Sequence, residues 1–240
     1  MASACVCGEY FNVDESGQLC LNPGTMGLRK IVRYTQPGTY QFRKADYPWL
    51  ARIRVLVQGA GGGSGGAESD KGQLISRPGA ASGGYSEALI EVGDLGDVET
   101  VVVGAGGKGG TGNNPGTAGG TSAFGGHASA GGGDAGTANM ESGTDMNDSQ
   151  GVGGPLAGTG DYAIGGGAGG SCIRLNGSHG LSGAGGDSQM GFGGVSRSGT
   201  GGGHGGRGFG GGGGGALSVN GAAESGAPGQ SGIVAVELYG

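Results

Sequence analysis

The chain has 240 residues, 69 of them glycine, with 34% hydrophobic and 5% aromatic residues, too few for a conventional core of this size. Thirteen Lys and Arg against nineteen Asp and Glu give a net charge of −6, which argues against a phosphate-binding surface built from clustered cations. No stretch approaches the about 18 apolar residues of a membrane span, and the absence of a strict Gly-X-Y period excludes collagen.

Residues 1–27 form a distinct opening with turn chemistry at Asp14-Glu15-Ser16-Gly17 and Asn22-Pro23-Gly24. The segment is too short to fold alone. Its Met-Ala-Ser-Ala-Cys start lacks the basic head and apolar stretch of a signal peptide. Cys5, Cys7 and Cys20 cluster here, with Cys172 alone further on. Three thiols without a nearby histidine are one ligand short of a structural zinc site. A Cys7–Cys20 or Cys5–Cys20 bridge and locally packed reduced thiols both fit.

From Leu28 the pattern has period two. Strands are predicted over Leu28 to Tyr34, from Tyr40 to Phe42 after a Pro37-Gly38 turn, and over Ala51 to Val57, with Ile53, Val55 and Val57 opposed to Arg52 and Arg54. Further strands are predicted over Tyr85 to Val92, Glu99 to Val103 and Gly232 to Tyr239. No amphipathic helix is expected.

Between these strands lies a glycine-rich tract from Gly59 to Gly229, and only five of the 69 glycines precede it. Ordering a glycine costs roughly 0.5–1 kcal/mol more than ordering an alanine. Over the other 64 glycines that is on the order of 30–60 kcal/mol, so the tract orders only if nearly every amide finds a partner. Glycine runs in the polyproline II conformation have three residues per turn and no internal hydrogen bonds, but they can bond side by side where no Cβ holds them apart. The runs at 104–112, 116–120, 125–136, 165–170, 183–186 and 201–215 are interspersed with Phe124, Ile164, Ile173, Met190, Phe192 and Phe209, unlike a flexible Gly/Ser linker. The expected fold class is therefore mainly β with polyglycine II: terminal strands pairing around a packed polyglycine block, with 1–27 as a docking segment and 28–240 as one glycine-rich domain. Gly167→Val and Gly212→Val are expected to destabilise it, and Gly143→Val, in a loop, is not.

Chemistry-bearing motifs are sparse. Gly104-Ala-Gly106-Gly-Lys-Gly109 matches the dinucleotide fingerprint, but no helix follows to receive a pyrophosphate. Gly206-Arg207-Gly208-Phe209 resembles an RNA-binding element, yet it is a single arginine in an acidic chain. His127, His179 and His204 are far apart, and Asp145 to Ser149 lacks the glycine and glutamate of a calcium loop. No catalytic residue, cofactor or metal is expected, and the chain is expected to be non-enzymatic.

The ordered set Pro37-Gly-Thr-Tyr-Gln-Phe42, Ala51-Arg-Ile-Arg-Val-Leu-Val-Gln-Gly-Ala-Gly-Gly-Gly63, Gly84-Tyr-Ser-Glu87, Val101-Val-Val-Gly-Ala-Gly-Gly107 and Gly232-Ile-Val-Ala-Val-Glu-Leu238 resembles the glycine-rich domain of tail-fibre, tail-tip and minor tail proteins of tailed bacteriophages. The opening Cys7-Gly-Glu-Tyr-Phe-Asn-Val-Asp14 with Cys20-Leu-Asn-Pro-Gly-Thr-Met-Gly-Leu-Arg29 is similar to minor tail proteins of phages infecting actinobacteria. The resemblance implies a virion component made in the host cytoplasm, joined to other phage tail proteins through residues 1–27. It also implies contact with a host cell-surface glycan or wall polymer, and it is compatible with a homo-oligomer such as a trimer. No nucleic-acid partner is expected.

Loops 67–82, 138–150 and 174–182 are the expected contact loops, and the expected first sites of proteolysis are 67–82 and 138–150. Asn139, Asn147, Tyr162 and Asn176 are the candidate receptor-binding residues. Two rival readings remain: an extracellular or cell-wall structural glycine-rich protein without a specific receptor, and an RNA-binding glycine-rich protein.

Overall fold

A computed structural model describes residues 8, 11–22 and 27–240. The alternating segments form strands where expected: β1 (Leu28–Tyr34), β2 (Gly38–Arg43), β3 (Arg52–Gln58), β4 (Tyr85–Glu91), β5 (Val98–Val103) and β9 (Ile233–Tyr239). Three short strands, β6 (Ser122–Phe124), β7 (Ala128–Ala130) and β8 (Tyr162–Ile164), lie inside the glycine-rich tract, where the sequence predicts none. They build a five-stranded sheet in the order β8-β4-β3-β9-β1 and a four-stranded sheet in the order β7-β6-β5-β2, with every pairing antiparallel. The last strand, β9, sits between β1 and β3, so the two ends of the glycine tract are pinned side by side. The chain is mainly β, and its only helical turn among the described residues is Lys44–Asp46.

The two sheets enclose the conventional core. Ile53, Val55 and Val57 of β3, Ile90 of β4 and Val234, Val236 and Leu238 of β9 meet Phe42, Val101, Val103 and Phe124 from the other sheet. Phe42 packs edge-on against Phe124, ring centroids 5.6 Å apart. On the other face of β3 and β9, Arg54 bonds Glu87 and reaches Glu237, as the alternation predicts.

Strands β3, β5, β7 and β8 run out of the sandwich into glycine-rich segments, and β4, β6 and β9 receive segments that return. The segment 59–66 shows how these are held. Gly59 and Gly62 donate to Gly84 and Ala81, Ala60 and Gly63 to Gly120 and Thr117, and Gly61 and Ser64 to Gln230 and Ala227. Every third N–H thus meets the same neighbour, and all three acceptor segments run antiparallel to the donor. Its carbonyls accept from three parallel neighbours: Gly107 and Gly110, Gly133 and Gly136, and Gly213. A central segment with six neighbours and a donor repeat of three matches the three residues per turn of polyglycine II.

Three buried segments, 59–66, 79–84 and 210–216, form the axis and close a cycle: Gly62 donates to Ala81, Ala80 to Gly213, and Gly213 back to Gly62. This spacing leaves no room for side chains at many positions. A Cβ built on Gly62 overlaps the carbonyl of Asp134, and one on Gly212 overlaps that of Ala80.

The stretch 67–82, expected as an exposed loop, is corrected here. Only the turn around Glu68 and Asp70–Gly72 is exposed; Leu74–Ser76 pairs with Leu217–Val219, and residues 74–82 are buried. Pro78, Ala80, Ala81 and Ser82 are small or compact enough to follow the path of a glycine run. Ser82 joins it through its hydroxyl, which accepts from Gly167 N–H and donates to the Asp187 carbonyl. Gly143 also differs from expectation: the Arg174 guanidinium lies against it, so an added side chain there meets Nη2 at 2.8 Å.

Gly212→Ala is expected to lower the melting temperature by about 3–10 °C, as overpacking of 1–3 kcal/mol does in a domain of this size. Gly153, where an added Cβ would meet nothing within 4 Å, is the control. Thermal melts showing equal shifts for Gly212→Ala and Gly153→Ala would overturn the crowding argument.

Candidate functional site

The far ends of the segments, opposite the sandwich, carry the side chains that are not glycine. Short pairings close this end: Ala67–Glu68 with Ala223–Glu224, Leu74–Ser76 with Leu217–Val219, and a three-stranded sheet of Asn147–Ser149, Cys172–Arg174 and Gly180–Leu181. Two buried arginines tie it together. Arg77, 1% exposed, donates through Nε to the Gly66 carbonyl at 2.7 Å, through Nη1 to Met140 at 2.7 Å and through Nη2 to Asn113 Oδ1 at 2.8 Å. Arg174 donates through Nε to the Asp145 carbonyl and through Nη1 to the Leu74 and Glu141 carbonyls. Burial pushes the Arg77 guanidinium down to about 10, so it is still charged at neutral pH, and three oxygen acceptors take the place of a carboxylate.

These contacts make 138–150 a loop whose backbone is anchored from 140 to 145, with Gly143 and Ser142 also accepting from Leu74 and Asp70. Asn139 is exposed just before the anchor. Asn147 pairs with Arg174 across the small sheet. It lines a recess of about 460 Å³ with Met146, Asp148 and Ile173, where Met146 is 74% exposed. Asn176 lies in the next turn, and its Oδ1 accepts from the Ser178 and His179 amides, each at 2.9 Å. Its oxygen is therefore occupied in shaping that turn. The structure brings Asn139, Asn147 and Asn176 to one end of the molecule. It places Tyr162 elsewhere: Tyr162 pairs with Glu87 at the edge of the sandwich and is 55% exposed.

The surface of the tip carries Glu68, Asp70, Glu141, Asp145 and Asp148, all exposed, against the single exposed lysine Lys71. The histidines are spread apart: His127 lies 3.3 Å from Glu99, His179 sits in the Asn176 turn, and His204 bonds Arg197. Cys172 is a buried thiol that donates to the Ser76 carbonyl, and burial pushes it up to about 11. Cys20 has no disulfide partner among the described residues; Cys5 and Cys7, its candidate bridge partners, lie outside them. Among the described residues, no helix is long and apolar enough to cross a membrane. Arg77, in Ser-Arg-Pro-Gly, and Arg174, in Cys-Ile-Arg-Leu-Asn, escaped the sequence reading, because neither setting gives a sign that the guanidinium's partners are mostly backbone carbonyls from distant reversals.

Replacing Arg77 with Met is expected to cost about 2–4 kcal/mol, since it strands buried acceptors, as read by denaturant melts. Arg174→Met is expected to leave the sandwich intact and make 138–150 the first site cut by proteinase K. An uncut loop would mean that the guanidinium does not hold it.

A glycine-rich domain profile matches residues 35–239, and the chain belongs to that family. Comparison with curated proteins finds no match.

Proposed function

We propose that the chain is a non-enzymatic virion component of a phage tail, a minor tail or tail-fibre protein. In this reading polyglycine II helices form a stiff scaffold whose far tip meets a host-surface glycan or wall polymer. The observation that carries it is the division of labour along the segments. Many axis positions have no room for a side chain, whereas the reversals at one end expose varied polar side chains on arginine-anchored loops. The donor repeat of three and the six neighbours of 59–66 support polyglycine II for the segments. The phage assignment is supported by the order of motifs, which resembles that of tail proteins.

The hairpin of Phe11–Val13 and Leu19–Leu21 supports a docking role for residues 1–27. Val13, Leu19 and Leu21 are 65%, 54% and 43% exposed, an apolar surface on a small hairpin that a neighbouring tail protein would cover. The rest of the proposed segment, residues 1–7, 9–10 and 23–26, lies outside the described residues.

Deleting 1–27 is expected to leave a folded 28–240 fragment, because β1, β3 and β9 remain, and to abolish incorporation into particles. Exchanging Thr144 to Asp148 for a Gly/Ser stretch spares the anchoring carbonyls of Met140 and Glu141. It is expected to preserve assembly and cut adsorption to host cells severalfold. Particles that lack this protein altogether, by immunoblot of purified virions, would end the tail reading in favour of a cell-wall structural role.

A further inference from the structure

The flank of the glycine block carries a feature that the tip does not. Gly191–Phe192 pairs antiparallel with Arg207–Gly208, and Phe192 stands directly opposite Arg207. Direct cross-strand partners present their side chains on one face. Phe192 is 69% exposed, and Arg207 is exposed without an ion-pair partner among the described residues. The two residues together separate two recesses, one of about 260 Å³ with Val195 and His204 on its far side, the other of about 510 Å³ with Gln189 and Met190. A second guanidinium, Arg197, bonds His204 Nε2 at 3.0 Å and also has no carboxylate partner among the described residues. The nearby Asp187 carboxylate accepts from the Gly193 amide through Oδ1 at 2.7 Å and forms no ion pair with either guanidinium among the described residues.

We propose that this groove binds a sparsely charged acidic polysaccharide, one sugar in each recess with Phe192 between them and a carboxylate on Arg207. An exposed aromatic ring offers a flat apolar face to the C–H face of a sugar, and a guanidinium accepts a carboxylate in bidentate fashion. Two guanidiniums without carboxylate partners in a chain of net charge −6 suit a polymer with isolated charges. A nucleic acid needs a continuous track of cations. The inference rests on the proposed attachment role only for the biological source of the polymer.

The test uses the purified full chain with a hyaluronate oligosaccharide, which has one carboxylate per two sugars, followed by calorimetry. A neutral N-acetylglucosamine oligomer and oligothymidylate serve as comparison ligands. Expected are binding of the hyaluronate probe, about tenfold weaker binding of the neutral oligomer, and weakening at high salt. Phe192→Ala and Arg207→Gln are each expected to weaken hyaluronate binding about tenfold, with Arg207→Lys restoring part of the loss. Both side chains are exposed, so unchanged melting temperatures would exclude misfolding, and the independent variant Val195→Asp is expected to weaken binding through the adjoining recess. No binding of the hyaluronate probe overturns the proposal, as does binding unchanged in Phe192→Ala, which would mean charge attraction alone. Tighter binding of oligothymidylate also overturns it in favour of nucleic acid. Absence of the protein from virions, by contrast, ends the tail reading and leaves a positive groove result standing.

Discussion

The hydrogen bond from one glycine-rich segment to the next is the contact on which the whole architecture depends. In a helix or sheet, backbone bonds are local or lie in one plane; along 59–66 successive amides go to three different neighbours in turn. Ala60, Gly61 and Gly62 donate to Gly120, Gln230 and Ala81 in turn. Such bonds form only where two backbones approach to carbonyl distance, and a methyl group in that gap is what a Cβ on Gly62 or Gly212 would be. The heavy entropy cost of glycine is accepted because no other residue lets every neighbour come that close. Alanine is not excluded everywhere: Ala60, Ala80 and Ala81 are buried within the axis. The direction of the Cβ at each position decides, not the average crowding.

That lattice has almost no side-chain interlocking of its own to set the register of its segments, and the sandwich supplies the boundary condition. The alternating strands β3, β4, β5 and β9 have a strict inside and outside, so a one-residue slip would turn Ile53, Val55 and Val57 to solvent. Fixing those strands fixes the phase at which 59–66, 79–84, 104–110 and 226–230 begin or end. At the other end Arg77 and Arg174 perform the matching task without a hydrophobic core, each gathering carbonyls from separate reversals. An ordinary small β-sandwich thus acts as a template for a much larger volume of backbone.

The same physics explains what was legible in the sequence. Strands were readable because alternation is a local signal, and Leu28 to Tyr34 or Ala51 to Val57 show it within seven residues. The glycine runs were readable as packed segments from their mixture with apolar residues. The segment 74–82 was not, since Leu-Ile-Ser-Arg-Pro-Gly-Ala-Ala-Ser contains one glycine; the usable sign was its run of small residues leading straight into Gly83, Gly84 and a strand. Gly143 looked like a loop glycine because its neighbour, the Arg174 guanidinium, comes from 31 positions away in the chain. The small sheet that gathers Asn147 and Asn176 has strands of two or three residues, too short to alternate, so their proximity was not readable. Tyr162 was grouped with them by sequence distance, whereas its pairing with Glu87 takes it to the sandwich.

Rigidity in the axis and latitude at the ends are two sides of one constraint. A residue inside 59–66 serves up to two neighbouring segments through its N–H and C=O, so a change there propagates across the lattice. A side chain such as Met146 or Leu156, 74% and 89% exposed, takes no part in those bonds. The reversals can therefore change composition while the positions from which they project stay fixed to within the tolerance of a hydrogen bond. A surface made this way is stiff without a large apolar core, and it presents chemistry at two kinds of place: acidic and amide groups on the arginine-braced tip, and the aromatic–guanidinium pair of Phe192 and Arg207 on the flank. The two differ in charge and in shape, and both project from the same hydrogen-bonded lattice.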